Sequence, residues 1–198
     1  MGARAVFEPM ALDELVSRLA GAPFRSWVCG GHALELHARR SWRAHDDLDL
    51  GVLRRDVAAV IAWLAPLEPM VAAAGELRPW RGQPLAASRH ENNVWLRRGA
   101  DAPWVLDLTL GDGDDERWIY RRDRSITRPW SEAVRIDERG VPYLAPALQL
   151  LFKSRAPRPK DDQDAAEVIP ALDAGDAAAL AELLPQGHPW RRHLNTLP

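Results

Sequence analysis

Apolar residues near the start of the chain recur at helical spacing. They predict an amphipathic helix over residues 11–20, ended by Gly21, whose core face consists of Leu12, Leu15, Val16 and Leu19. A short apolar run then predicts a strand at 26–29, which leads into Gly30-Gly31 and a helix over 32–40. This order of strand, glycine turn and helix is typical of α/β units.

Acidic and apolar residues alternate from Asp47 to Val52, which predicts a strand with one polar and one apolar face. A helix is predicted over 57–65, with Asp56 as its N-cap. The middle of the chain predicts a sheet with strands over 93–98, 104–110 and 117–121, separated by turns at 99–101 and 111–116.

Residues 134–144 have the pattern of a hairpin, and from Pro146 the apolar spacing becomes helical. The predicted helices span 146–154, 161–172, 176–184 (with Asp176 as N-cap) and 190–197. We therefore expect an α/β (α+β) fold: a mixed sheet and its helices in residues 1–145, then a helical subdomain in residues 146–198. The loop between them is predicted at 153–160, which contains two prolines and four cations.

The composition is that of a folded protein. The chain has 198 residues, of which 46% are apolar and 27% charged, so it can bury a core. Its 26 basic and 28 acidic residues give a net charge of -2, which does not favour a protein that coats nucleic acid. The single Cys29 excludes an intramolecular disulfide and a four-cysteine zinc site, and we expect it to be a small buried residue in a protein of a reducing compartment.

Targeting signals are not evident in the sequence. The amino-terminal residues lack the apolar core and cleavage site of a signal peptide, and Val6 stands where a myristoylation signal requires Ser or Thr. The most apolar stretch, 57–75, is interrupted by Pro66, Glu68 and Pro69, so it falls short of the roughly 20 residues of a membrane span. We expect a cytoplasmic protein with no membrane partner.

Two aspartates in the strand predicted at 47–52 are candidate metal ligands. Alternate residues of a strand share a face, so Asp47 and Asp49 are expected to point one way and Leu48 and Leu50 the other. Their backbone positions lie about 7 Å apart along the strand, so both side chains can converge on one Mg²⁺ or a pair. Without a cation, adjacent carboxylates repel each other. A solvated strand face is the alternative interpretation of this pair taken alone.

Asp107 and the Gly30-Gly31 turn complete the candidate site. Asp107 interrupts an apolar strand whose core face is Leu106, Leu108 and Leu110, and it is a candidate third ligand or base. Glycines at a strand-to-helix junction let phosphate oxygens approach backbone N–H groups and the positive end of the helix. Three carboxylates with such a turn predict metal-assisted phosphoryl or nucleotidyl transfer.

Residues 27–52 resemble the small bacterial nucleotidyltransferases of the polymerase-β superfamily, among them the aminoglycoside and lincosamide adenylyltransferases. That branch shows a Gly-Gly turn, a helix and then R-x-H-x-D-[IL]-D, which here is WVCGGHALELH followed by Arg43, His45, Asp47 and Asp49. The segment RPKDDQD at 158–164 more loosely resembles abortive-infection toxin nucleotidyltransferases. The chain departs from the pattern at His32, Glu35, Arg39 and Trp42.

The resemblance implies a nucleotidyltransferase-type mixed sheet flanked by helices, with Mg²⁺ as cofactor and ATP as nucleotide substrate. It implies that Asp47, Asp49 and Asp107 bind the metal and carry the catalysis, with Asp107 also a candidate to take the acceptor's proton. The residues that it implies for nucleotide binding are Gly30, Gly31, Arg43, His45, Lys153 and Lys160. The expected reaction moves a nucleoside monophosphate, AMP from ATP, onto a hydroxyl of a small-molecule acceptor.

Two other functions stay open at this point. A toxin-type member of the superfamily would modify RNA or protein, so that nucleic acid enters as an acceptor, and a degenerate member would bind nucleotide without catalysis. The basic run from Arg117 to Arg128 either holds phosphate or RNA or is a solvated hairpin. The acidic turn at 112–116 either attracts an amine-bearing acceptor or is only a solvated turn.

Overall fold

Residues 6–87 and 90–194 are described by the computed structural model of the chain. Its first elements follow the predicted order: helix α1 Leu12–Leu19, strand β1 Ser26–Val28, helix α2 Gly30–Ala38, strand β2 Asp49–Leu53 and helix α3 Val57–Trp63. One prediction needs correction, because β2 begins at Asp49 and Asp47 lies in the loop before it. A 3-10 turn precedes α3, and the Asp56 side chain makes no capping hydrogen bond.

The next part of the chain contains two strands that the pattern did not predict, β3 Glu68–Ala73 and β4 Glu76–Pro79. Strand β3 was not predicted because it contains Pro69, and proline usually argues against a strand. Pro69 lies beside the first residue of β3, where a missing backbone N–H is tolerated. The following elements are β5 Asn93–Arg97, β6 Trp104–Gly113, β7 Arg117–Ile119, β8 Thr127–Pro129 and helix α4 Trp130–Ala133. Of these, β6 extends into the predicted acidic turn, and β8 and α4 were not predicted.

The predicted hairpin and helices complete the chain. They are β9 Val134–Ile136, β10 Pro142–Leu144, α5 Pro146–Ser154, α6 Pro159–Val168, α7 Ala174–Leu183 and α8 Arg191–Leu194. The loop predicted at 153–160 is shorter than expected, since Lys153 and Lys160 both lie in helices. Asp173, not Asp176, caps α7 by accepting a hydrogen bond from the Asp176 N–H. The helix predicted at 190–197 is present to Leu194, and residues beyond it lie outside the described part of the chain.

The ten strands form the mixed sheet that the sequence predicts. Its order is β4-β3-β5-β6-β2-β1-β10-β9, with β7 paired to β6 and β8 paired to β7. The pairs β2–β6 and β1–β10 are parallel, and the other pairs are antiparallel. In the register of β2 and β6, Asp49 lies directly beside Asp107. None of the helices in the described ranges is long and apolar enough to cross a membrane.

The central strands bury one face beneath α1 and α3. Leu15 of α1 and Val60 of α3 share a buried cluster with Leu50, Val52, Leu106, Leu108 and Leu110 of β2 and β6. Because successive side chains of a strand point to opposite faces, this packing turns Asp49 and Asp107 to the other face of the sheet. The core face predicted for β6 is confirmed.

The carboxy-terminal helices pack against α2. Leu34 of α2 lies in one buried cluster with Leu150 of α5 and with Val168 at the end of α6. These apolar contacts join the two parts of the chain that were predicted as separate domains, 1–145 and 146–198. That division stays a prediction.

A buried ionic network joins α6 to the loop before β2. Arg43 donates to both oxygens of Asp164, with Nε and Nη2 at 2.7 and 2.8 Å. The same fully buried carboxylate lies 3.0 Å from Lys153 Nζ and accepts a hydrogen bond from Trp42 Nε1 at 2.9 Å. Charged groups this deeply buried stabilise the fold only when they are paired, so Asp164 fixes α6 against this loop.

Replacing Asp164 with Asn should destabilise the protein by about 3–5 kcal/mol, because it leaves the Arg43 guanidinium without its anionic partner. Urea unfolding followed by circular dichroism measures the change. The matched control is Asp101→Asn, which removes the same charge from an exposed turn and should shift stability by less than about 0.5 kcal/mol. A loss below about 1 kcal/mol in the Asp164 variant would show that the network is dispensable.

Candidate active site

Asp49 and Asp107 lie side by side because β2 and β6 are parallel neighbours. Backbone hydrogen bonds fix them there: the Asp107 N–H donates to Leu48 O at 2.9 Å, and the Cys29 N–H donates to Asp49 O at 2.9 Å. Asp47, two residues before Asp49, contributes a third negative charge that raises the pKa of both carboxyls. The structure therefore brings together the three aspartates that the sequence selected.

Strand β5 supplies two partners of Asp107 that the sequence analysis missed. Asn93 Nδ2 donates to both carboxylate oxygens at 2.9 and 3.0 Å, and Trp95 Nε1 donates to Oδ2 at 2.9 Å. Both residues alternate with the buried Val94 and Leu96, so they share the face of the sheet on which Asp107 lies. That alternation was a visible signal for their role.

Burial raises the pKa of both central carboxyls. It raises the pKa of Asp49 to about 7, helped by the Asp47 charge and opposed by cations such as Lys153. The pKa of Asp107 is raised well above its ordinary value by burial and by the Asp49 charge, against the hydrogen bonds from Asn93 and Trp95. Crowded carboxylates with only oxygen donors fit a hard divalent cation such as Mg²⁺, which favours their ionised forms.

The Gly30-Gly31 turn lies directly against these carboxylates. Gly30 has a φ of +69°, and a Cβ there would overlap Asp49 Oδ2. A Cβ on Gly31 would overlap the side chains of Arg43 and His45. Gly30 N also donates to Gln149 Oε1 of α5 at 2.9 Å, a contact that the sequence analysis missed. Glycine is thus required at both positions because neighbouring side chains leave no room for a Cβ, and the start of α2 lies against the Asp49 carboxylate.

The other residues predicted to bind nucleotide lie around the turn with partners of their own. Arg43 is bound to Asp164, and His45 lies behind Gly31 with Nε2 3.0 Å from Glu35 Oε1. Lys153 Nζ contacts Asp161 at 2.8 Å as well as Asp164, and Lys160 Nζ is 4.0 Å from Asp46.

Cys29 is buried, which raises the pKa of its thiol, as expected for a structural cysteine.

A cleft of 1310 Å³ opens in front of Asp47 and Asp49. It exceeds the roughly 300–1,000 Å³ of a typical small-molecule site, so it has room for two ligands. Its ionic lining consists of seven cations and three carboxylates: Arg54, Arg121, Arg122, Arg124, Lys153, Arg155 and Arg158, with Asp47, Asp49 and Asp112. Three residues of the basic run therefore face the cleft.

Three of the acids in the acidic turn have partners within the protein. Asp112 accepts from Arg54 Nε at 3.2 Å and from Arg124 Nη1 at 2.9 Å. Asp114 accepts from the backbone N–H groups of Glu116 and Arg117, and Asp115 pairs with Arg55. These contacts favour the second interpretation of this segment, a structured turn, over a site that attracts amines.

Two solved structures with a similar fold are adenylyltransferases. The chain superimposes on the lincosamide antibiotic adenylyltransferase LnuA, bound to lincomycin, with a TM-score of 0.57 and 16% identity over 83% of this chain and 100% of that one. It also superimposes on ANT(2")-Ia in complex with adenylyl-2"-tobramycin, with a TM-score of 0.54 and 13% identity over 87% and 94% of the two chains. No protein-family model matches the sequence, and no curated protein matches it.

Replacing Asp49 with Asn should stabilise the protein in metal-free buffer at pH 8, because it removes a buried charge that neighbouring carboxylates repel. We expect a gain on the order of 1–3 kcal/mol, or about 2–10 °C in Tm. The folded pKa of about 7 lies above the unfolded value of about 3.9. The contribution of Asp49 to wild-type stability is therefore lost as pH rises from about 4 through 7. The stability gain of the variant over the wild type should vanish near about pH 4, where the Asp49 carboxyl is protonated.

Thermal melts with a chelator, across this pH range, test the expectation. Asp46→Asn is the matched control, since Asp46 is an exposed neighbour with 79% of its side chain accessible. A fall in Tm of the Asp49 variant at pH 8 would contradict the assignment of Asp49 as a repelled, buried carboxylate.

The superpositions confirm, at the level of the fold, the resemblance that residues 27–52 carry. The chain has the nucleotidyltransferase fold of these adenylyltransferases.

Proposed function

We propose that this protein is a nucleotidyltransferase that moves AMP from ATP onto a hydroxyl of a small-molecule acceptor. The observation that carries the proposal is the in-register pairing of Asp49 with Asp107, with the backbone of Gly30 packed directly on Asp49. Each feature alone has a structural explanation, but this combination places a carboxylate cluster and a helix start at one point of a large cleft. The adenylyltransferases of the same fold support the same chemistry.

Asp47, Asp49 and Asp107 would hold Mg²⁺, which when bound supplies Lewis-acid polarisation of the phosphoryl group and neutralises developing charge. The turn would bind phosphate oxygens through the N–H groups that follow Gly30 at the start of α2, because the first N–H groups of a helix lack acceptors within it and the Gly30 N–H is already bound to Gln149. Lys153 would add a third hydrogen bond, since its ammonium has three donors and the two carboxylates contacted here use two. Lys160 lies at the edge of the same region.

In the reaction, the acceptor oxygen forms a bond to the α-phosphorus while the bond from that phosphorus to the β-phosphate oxygen breaks. Pyrophosphate leaves, and the hydroxyl proton passes to the carboxylate of Asp107. Asn93 and Trp95 hold that carboxylate in place, so it can accept the proton without reorganisation.

We propose that the protein acts in the cytoplasm. A reaction that uses ATP, in a protein whose single cysteine, Cys29, is reduced, fits that location.

The charge of the cleft bears on the acceptor. Arg121 is held by a hydrogen bond to Leu110 O at 3.2 Å and has no ion pair with any carboxylate of the described residues. Burial and the nearby charges of Arg122 and Arg54 lower its pKa, which shows that cations crowd this wall. A polyamine acceptor would be repelled here, so we propose an uncharged or anionic hydroxyl compound, such as a phosphorylated sugar.

The same arginines favour one alternative, which is transfer to RNA. An RNA terminus offers both a hydroxyl and phosphates, and phosphate contacts come chiefly from Arg and Lys. The protein as a whole carries a net charge of -2, so this contact would be confined to the cleft.

Replacing Asp47, Asp49 or Asp107 with Asn should lower transfer by at least about 10³-fold, since each change removes a ligand charge worth several kcal/mol in the transition state. The assay follows label from α-labelled ATP with Mg²⁺ into phosphorylated sugars, aminoglycosides, lincosamides, tRNA and cell protein. Asp46→Asn is the control and should retain activity. Near wild-type turnover of the Asp49 variant would disprove the proposed function.

Label on phosphorylated or neutral compounds is the expected result of this acceptor panel. Label confined to tRNA would support the alternative, and label confined to aminoglycosides would contradict the inference from the arginine wall. Absence of label on every acceptor, together with nucleotide binding, would indicate a module that binds without catalysis.

Lys160→Ala should weaken binding of ATP by about tenfold and of AMP by less than about twofold, because a lysine directed at the β- and γ-phosphates has no partner in the monophosphate. Calorimetric titrations of both nucleotides measure the difference. Arg81→Ala, which removes an exposed cation elsewhere, should change neither affinity. Equal losses for ATP and AMP would place Lys160 outside the triphosphate site.

A further inference from the structure

Three side chains with metal-ligating atoms converge beside α2, outside the aspartate site. His32 and Glu35 are three residues apart on α2, so they share one helix face, and His45 comes from the loop before β2. One ligand atom of each lies within 4.8 Å of those of the other two. His45 Nε2 is 3.0 Å from Glu35 Oε1, and the rings of His32 and His45 have centroids 4.1 Å apart.

His45 provides an independent indication of a ligand. Its side chain is only 7% exposed, and Nε2 is buried without a hydrogen-bond partner. Its nearest partner is Glu35 Oε1, another member of the cluster, at 3.0 Å. A cation bound by both atoms would satisfy the nitrogen and the carboxylate together.

The Glu35 carboxylate is fixed by hydrogen bonds from outside the cluster. Ser41 Oγ donates to Oε2 at 2.8 Å, and Trp42 N donates to Oε1 at 3.1 Å. These contacts hold the carboxylate in place beside His45.

We propose that His32, Glu35 and His45 bind a divalent transition-metal ion, with Zn²⁺ as the physiological candidate. Two imidazole nitrogens and one carboxylate oxygen form a known zinc ligand set with a fourth position for water. Mg²⁺ prefers oxygen ligands, so the two sites select different ions. Ser41 and Trp42 are the outer partners that orient Glu35. A pocket of 490 Å³, lined by His32 and Glu35, gives the ion a path from solvent.

A metal ion at this site would fix the positions of neighbouring segments. A metal ion there would tie α2 to the loop that carries Arg43, His45 and Asp47. Gly31 packs directly on His45 and Arg43, so the same link would hold the Gly30-Gly31 turn. The ion would therefore order the turn without contacting the reacting groups, and its presence does not depend on which acceptor is used.

The test titrates chelator-treated protein with Co²⁺, whose visible spectrum reports nitrogen ligation, and with Zn²⁺ in competition with a chromophoric chelator. Excess Mg²⁺ is present throughout to occupy the aspartates. We expect the wild type to bind one equivalent of Zn²⁺ and to show a raised Tm on binding. His32→Ala should lose affinity for Zn²⁺ by at least about 100-fold. That loss exceeds the roughly 10–100-fold cost of removing a residue that only orients a metal ligand. Glu35→Gln, which keeps the shape of the side chain, should show a similar loss.

His37→Ala is the matched control, because His37 lies on the same helix and is absent from the cluster. It should bind Zn²⁺ like the wild type, and so should Asp49→Asn. The proposal is overturned if wild-type protein takes up no stoichiometric Zn²⁺, if binding persists in His32→Ala and Glu35→Gln, or if binding is lost in Asp49→Asn. Melting without metal shows whether each variant is folded.

Discussion

The repulsion between Asp49 and Asp107 is the constraint around which this structure is organised. Two carboxylates lie side by side because their strands are parallel neighbours in fixed register, and burial makes their ionised forms costly. The surroundings offset part of this cost through the N–H donors of Asn93 and Trp95. The proposed binding of a hard cation would supply the positive charge that these carboxylates lack.

Close approach to Asp49 explains why the chain needs a glycine turn at the start of α2. Any side chain at Gly30 would overlap the carboxylate, and any side chain at Gly31 would overlap His45 and Arg43. Gln149 and the Arg43–Asp164 pair then fix the turn and its loop against α5 and α6. The cations of this region hold the helices in place, and the proposed binding of a nucleotide would compete with that role, most clearly at Lys153.

Local sequence patterns predicted the helices and strands that position the candidate site. They failed where contacts between distant parts of the chain determine the structure. The alternation at Leu106, Leu108 and Leu110 predicted the core face of β6, while the glycine turn and the spacing of Asp47 and Asp49 predicted the carboxylate cluster. Strand β3 was missed because Pro69 is acceptable only at its start, a fact that depends on the strand's boundaries. The Arg43–Asp164 pair was missed because its residues are 121 positions apart.

The fold and the charge of the cleft carry different information about function. The fold determines where the aspartates and the glycine turn meet, and the fold is what this chain has in common with the superposed adenylyltransferases. The charge of the cleft wall comes from side chains outside the aspartate cluster, where both oxygens of Asp112 are bound by arginines. Arg121 also lines the cleft and makes no ion pair with a carboxylate of the described residues, although the charges of Asp49 and Asp107 act on it. Because desolvated cations attract anions more strongly than exposed ones do, this wall is the physical basis of the proposal that the acceptor is an uncharged or anionic compound.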